Sequence, residues 1–333
     1  MKRRLPSVLL AAAAILLCPL SVRGKDAAES IPTAAAPVLL PHEDAAAAQE
    51  TVCRLLETAS GTVQEIPLRT YLIGAIAAEM PASYESAALA AQAVAIRTYF
   101  ERMHRIAQQT PDPALCGADL SDDARHYLAY CPEAQLRDLW GEDFARNYEK
   151  IAAAADIGIT RLLCAEGEPV AAAFHAISPG MTENAETVWG AALPCLTSVS
   201  SEADRSAPHF EETVTLPPET VRKALGSIPL PEDPAEWFVP ETVSEAGTVL
   251  RMRCGSTVLT GQQIREMLGL RSACFTVSCT AGQLAFTTRG FGHGVGMSQY
   301  GANEMAKDGY SCEQILAHYY TGTELGMLKY GGA

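Results

Sequence analysis

Positive charge is what this sequence has least of. Its 333 residues carry 25 lysines and arginines against 39 aspartates and glutamates, a formal net charge of −14, and no basic tract follows the first four residues. Phosphate backbones are held by clustered cations, so the composition argues against a nucleic-acid partner. It argues equally against adhesion by charge to an acidic membrane surface or a polyanion. Internal repeats are absent. The glycine-rich run Gly290-Phe291-Gly292-His293-Gly294-Val295-Gly296 lacks the G-x-G-x-x-G spacing of a dinucleotide site, and no Lys-Ser or Lys-Thr follows it as in a phosphate loop. His104, His126, His175 and His293 form no H-x-x-x-H pair, so a metallohydrolase reading lacks its ligand helix. Ten cysteines are scattered along the chain without the spacing of a small stapled domain, and buried free thiols are the expected state of most of them.

What is present is an ordinary globular composition, 48% hydrophobic and 19% charged. The length suffices for one large domain or for two smaller ones sharing a cleft. Lys2, Arg3 and Arg4 precede an uncharged stretch over residues 5–22, an export pattern slightly short of the roughly 20 residues that span a bilayer comfortably. Arg23 spoils a small-x-small cleavage site, so residues 1–24 read as an uncleaved anchor, with a cleaved signal peptide as the alternative. Leu17 stands where a lipoprotein at Cys18 would need a small residue. Residues 25–50, rich in Ala, Pro and Glu without periodicity, read as a flexible tether. The expected location is therefore the outer face of the cytoplasmic membrane, with residues 51–333 as the folded part.

Within that part, the apolar run Tyr71–Glu79 stops at Met80-Pro81. Ser83 is then a candidate N-cap for an alanine-rich helix over Glu85–Met103. Residues 106–133 read as a surface excursion, followed by a second helix over Ala134–Ala155. Two strands, ITRLLCA and PVAAAFHA, flank a turn at Glu166-Gly167-Glu168. Residues 197–256, interrupted by prolines, read as a less regular insertion. A helix at Thr260–Leu268, a hairpin at Ala273–Thr288, a helix from Ser298 to Lys307 and a capping box Ser311/Gln314 before CEQILAHYY complete the chain. Helices outnumber strands in this reading, and the fold class is α+β, with two lobes around a substrate cleft.

Three stretches carry candidate chemistry. Glu79 ends an apolar run, and burial there raises the pKa of a carboxyl group, as a general acid at neutral pH requires. The segment FHAISPGMTENAETVWG places Ser178, Thr182, Glu183 and Asn184 directly after a strand, as at a cleft rim. The glycine run leaves His293 bare between residues that permit close backbone approach.

Together EMPASYESAALAAQAVAIRTYF, FHAISPGMTENAETVWGAALPCLTSVSS and GFGHGVGMSQYGANEMA resemble the stage II sporulation protein D family, in the same order and over roughly residues 60–325. The resemblance implies a lytic transglycosylase acting on glycan strands stripped of their peptides, with Glu79 as its catalytic group. Arg97, His175, Ser178, Thr182, Glu183, His293 and Gln299 match other motif positions and are expected in the cleft, with Asn184 and Trp189 as further sugar contacts. A single carboxyl suffices for that chemistry, because the C6 hydroxyl of muramic acid is the nucleophile and the product a 1,6-anhydro ring. The reading requires Glu79 to face the histidine- and glycine-bearing stretches. Implied partners are a cell-wall amidase and a polytopic membrane protein. The alternative is a glycan-binding enhancer of the amidase without activity of its own.

Two departures stand out. Pro179 occupies a place where many relatives have glycine. Some relatives also resemble one another in a Cys/His zinc site, and here Cys116, His126 and Cys131 remain while the cysteine expected near Ser121 is missing. No cofactor is expected on this basis. Zinc, a Cys116–Cys131 disulfide and two free thiols all stay open.

Overall fold

The first hairpin of the computed structural model, which describes residues 51–327, pairs β1 (Val52–Glu57) with β2 (Thr62–Pro67). The anchor, the tether and Cys18 lie outside the described residues. From Pro67 the chain enters α1 (Leu68–Glu79), which buries Leu68, Tyr71, Leu72, Ile73, Gly74, Ala75 and Ile76. It ends for a local reason. Met80 adopts extended φ/ψ (−128°, 140°), as a residue preceding proline does, while its N–H still closes on the Ile76 carbonyl.

Helix α2 (Ser86–Gln109) is the spine of the molecule and buries a nearly unbroken run from Ala88 to Phe100. Its N-cap is Glu85, without a side-chain bond, and not the expected Ser83; the chain first makes a turn in which Tyr84 N–H donates to Pro81 C=O. The expected surface excursion at 106–133 is mostly exposed or half-buried but anchored by a few buried residues. Leu115, Ala118, Asp119, Leu120, Leu128 and Ala129 all pack inward, and β3 (Leu120–Ser121) joins β1 in parallel. Asp119 anchors it by accepting hydrogen bonds from Arg54 and pairing with His104.

The expected second helix is two, α3 (Glu133–Trp140) and α4 (Phe144–Gly158), broken where Gly141 takes φ 51°. The hairpin β4 (Arg161–Ala165) with β5 (Glu168–Pro169) turns at Glu166-Gly167, both with positive φ, and β6 (Phe174–His175) follows. After the short helix α5 (Ala185–Trp189), the stretch expected to be less regular contains four regular elements. It holds β7 (Glu211–Leu216), α6 (Pro218–Leu225), β8 (Phe238–Val243) and β9 (Val249–Cys254).

These elements share a core with β10 (Thr257–Leu259), α7 (Gly261–Leu268), β11 (Phe275–Thr280) and β12 (Gln283–Arg289). Trp237, Phe286 and Ile264 lie at its centre. The chain then returns through β13 (Met297–Ser298), α8 (Gln299–Lys307), α9 (Cys312–Tyr319) and β14 (Glu324–Met327) to a larger core built on α1, α2 and α4. Helices α7 and α9 carry full capping boxes at Thr260/Gln263 and Ser311/Gln314. The architecture is α+β. Among the described residues its fourteen short strands outnumber the nine helices, contrary to expectation, because several strands are only two or three residues long.

Candidate active site

Glu79 sits at the last position of α1, where the apolar face of the helix carries it toward the core. Its Oε1 accepts from Ala129 N–H at 3.2 Å. The segment that supplies this amide is pressed onto the helix at Gly74, where an added Cβ would strike the Tyr130 ring and the Cys131 carbonyl. Cys131 N–H in turn donates to Gly74 C=O. The residue keeps some contact with solvent, but the carboxyl group is densely surrounded. Burial pushes its pKa up to about 8, and the Ala129 bond opposes this only in part. No second carboxylate and no cation contributes to that shift.

The second and third stretches are laced together by backbone. Ile177 and Phe291 exchange both hydrogen bonds, at 3.0 and 2.7 Å, and Glu183 N–H donates to Gly294 C=O at 2.7 Å. Strands β6 and β13 pair in parallel, Met297 with Phe174 and Ser298 with His175. The four alternating glycines, 290, 292, 294 and 296, all adopt positive φ between 74° and 113°. At Gly296 a Cβ would run into the Ala173 carbonyl, so the run approaches its partner more closely than any side chain allows.

This lacing brings His175, His293 and Trp189 together. The two imidazole centroids are 5.7 Å apart, and the Trp189 ring lies 5.3 Å from His293. Val295 fixes both tautomers. Its N–H donates to His293 Nδ1 at 3.1 Å, which leaves the His293 proton on Nε2. Its carbonyl lies 3.1 Å from His175 Nδ1 and accepts that proton, which leaves a lone pair on His175 Nε2. Burial holds His175 at a pKa of about 4 and His293 well below its usual range. The buried Arg265 guanidinium pushes both in the same direction. The Phe174 backbone favours the charged form of His293 but does not offset burial. Neither Nε2 atom closes a hydrogen bond. At neutral pH the pair is therefore uncharged, one donor beside one acceptor, and suited to a hydroxyl group rather than to proton transfer.

Other expected cleft residues are engaged elsewhere. Arg97 is buried in α2, where Nε donates to Ile159 C=O at 3.1 Å and Nη1 to Glu101 at 2.9 Å; it braces α4 and reaches no cleft. Ser178 is fully buried, its N–H donating to Asp204 and its Oγ accepting from Gly180. Thr182 is also fully buried and accepts from Val199 N–H through Oγ1. Glu183 accepts from Ser244 Oγ at 2.5 Å. Asn184 is exposed and accepts from Ser198 N–H. Gln299 Nε2 reaches Gln92 Oε1 at 3.4 Å on α2.

No hydrogen bond, ion pair or ring contact among the described residues joins Glu79 to the histidines. Helix α2 and its N-cap are tied to α8 by Gln92–Gln299 and by the Glu85 N–H bond to Asn303. The sequence reading missed Asp204, which accepts from Ser178 N–H and Ser298 Oγ and so ties the two motif stretches together. Nothing in its local sequence signals that role. It missed the Ala129 amide for the same reason.

The candidate zinc donors point to other partners. His126 pairs with Asp123 at 3.0 Å, while Cys131 Sγ lies toward Gln135 and the Pro132 carbonyl. Among the described residues no three His, Cys, Asp or Glu side chains gather as a metal-binding group, and every described cysteine is a free thiol. This set does not fit a four-ligand structural zinc site.

A family profile described as Stage II sporulation protein matches residues 57–157. The chain is 38% identical to the Stage II sporulation protein D of Bacillus amyloliquefaciens over 268 residues, 80% of this chain and 76% of that protein. It is 37% identical to that of Bacillus subtilis strain 168, covering 80% and 77% of the two chains. A more distant relative, the amidase enhancer of Bacillus subtilis strain 168, is 25% identical over 76% of this chain and 40% of that protein. With its three motif stretches in order and this identity across most of both chains, the protein belongs to the stage II sporulation protein D family.

Proposed function

We propose that this protein is a lytic transglycosylase of peptidoglycan that cuts peptide-stripped glycan between N-acetylmuramic acid and N-acetylglucosamine, during engulfment in sporulation. The carrying observation is the lone carboxyl of Glu79, with a pKa of about 8 and no acidic neighbour contributing to it. At pH 7 such a group favours its protonated form, so it is ready to donate to a glycosidic oxygen. Two-carboxylate mechanisms need a second acid in reach to activate water or attack carbon. A single group works when the sugar's own C6 hydroxyl attacks. Glu79 then gives its proton to the leaving oxygen and afterwards takes the C6 hydroxyl proton, and the anhydro ring closes within one molecule. The uncharged His175–His293 pair with Trp189 suits sugar hydroxyls and a sugar face. The tightly braced Arg97, Ser178 and Thr182 hold the framework.

On the same reading the chain is exported and anchored by its N-terminal segment at the outer face of the cytoplasmic membrane. A cell-wall amidase and a polytopic membrane protein are its partners, the amidase supplying stripped strands. The named relative that enhances an amidase favours one second reading, a glycan-binding enhancer without activity. Digestion of purified peptide-free strands separates the two. The proposal expects 1,6-anhydro ends with the native protein and a loss of at least about a hundredfold in Glu79→Gln, in line with the worth of a general acid. Intact strands after exhaustive digestion by the native protein would establish the second reading instead.

A further inference from the structure

Two residues beyond Glu79 the chain opens into a recess that the proposed chemistry leaves unused. Pro81 and Ser83 form one wall and Trp140, Arg146, Asn147 and Lys150 the other, around a cavity of about 490 Å³. That volume falls in the range of small-ligand sites. Its character differs from the rest of a chain of net charge −14, because two cations and no carboxylate line it. Arg146 and Lys150 are four residues apart on α4 and so share one face of the helix. Lys150 Nζ donates to Tyr84 C=O at 2.5 Å, which fixes the ammonium on the wall and leaves further N–H bonds to give. Arg146 pairs with Asp143 at 3.1 Å, both exposed, a contact weak enough in water to be exchanged for a ligand. Trp140 is half-buried and leans on Phe144 at 6.2 Å, so a flat apolar surface stands beside the two charges. An aromatic plane, an amide and two cations suit a sugar ring bearing a carboxylate.

We infer that this recess reads the free lactyl carboxylate of a muramic acid ring bound next to the point of cleavage. The inference rests on the glycan reading of Glu79. Removing a peptide hydrolyses the amide that joined it to the lactyl group, and each stripped ring then carries a carboxylate where a peptide-bearing ring has a neutral amide. Arg146 and Lys150 therefore select stripped strands by charge. Neither contributes to the Glu79 shift, which comes from burial and the Ala129 bond, so the protonated acid and the carboxylate reader coexist.

The test measures binding, not cleavage, on full-length Glu79→Gln protein. Short glycan strands with free lactyl carboxylates are compared with the same strands whose carboxylates have been converted to methylamides. The free form is expected to bind at least tenfold more tightly. Adding Arg146→Gln and Lys150→Met should reduce its affinity to that of the capped form, with the circular dichroism spectrum unchanged. Arg146→Gln alone, at an exposed position, should remove part of the preference even if the Lys150 change disturbs the fold. Equal affinity for both forms, or a preference that survives the two changes, overturns the inference. If the preference is present but native protein yields no anhydro ends, the carboxylate reader stands and the transglycosylase reading falls.

Discussion

A carboxyl group carried into the core at the end of an apolar helix costs folding free energy whenever it is ionised. In Glu79 the folded pKa is about 8, above the usual value near 4.3. Between those two values the unfolded chain has released the proton and the folded chain still holds it, so stability declines as pH rises across that window and is untouched below it. Glu79→Gln removes the titration. The variant should match the native protein in denaturant melts at pH 4 and exceed it by about 2 kcal/mol at pH 8.5, an amount reduced for the group's residual solvent contact. Equal curves at both pH values would mean that the carboxyl is not desolvated. The same proton governs activity, and the rate of strand cleavage should fall as pH climbs past 8. That burial would raise this pKa is legible in IGAIAAE, where a lone acid follows apolar residues. Its partner is not legible, because Ala129 lies fifty residues away on a segment that reads as polar surface.

Elements are read from local rules, and they come out where those rules are strong. The boxes Thr260/Gln263 and Ser311/Gln314 start α7 and α9, and Pro81 stops α1. The rules fail where tertiary contact decides. Gly141 breaks a helix whose pattern runs through it, and in 197–256 Pro218 opens α6 and Pro240 sits inside β8, elements that packing around Trp237 makes regular. The glycine run shows both sides. Its permissiveness is visible in sequence, but its close approach to Ala173 follows from β6 and β13 lying side by side. Gly296→Ala should therefore cost more than the roughly 1 kcal/mol of an unfavourable φ alone. About 3 kcal/mol or more is expected from the added clash with backbone, measured as a lowered midpoint of thermal unfolding. A loss below 1 kcal/mol would show that β6 can move away.

For the whole molecule, the question is what holds two hydrophobic cores in one arrangement. The chain leaves the smaller core after β12 and enters the larger at Val295, so the glycine run is itself the seam. On one side Gly292 N–H donates to Arg271 C=O and Gln262 Nε2 reaches His293 C=O at 3.4 Å; on the other, Ile177 and Glu183 bond to Phe291 and Gly294. Glu183 adds a side-chain tie across it. Glu183 is 3% exposed, and its carboxylate accepts from Ser244 on the β8–β9 loop of the smaller core. Ser244→Ala deletes that donor and leaves the acceptor buried, a defect of about 1–3 kcal/mol. Where that cost falls decides how the cores are joined. If the Ser244–Glu183 bond clamps the seam, amide exchange at Glu183 and Val295 should quicken while Ala93 and Phe286, deep in the two cores, keep their protection, as expected of a local opening. Unchanged exchange at Glu183 and Val295 would assign the clamp to the glycine backbone alone, with the histidine pair held whether or not the smaller core leans on it.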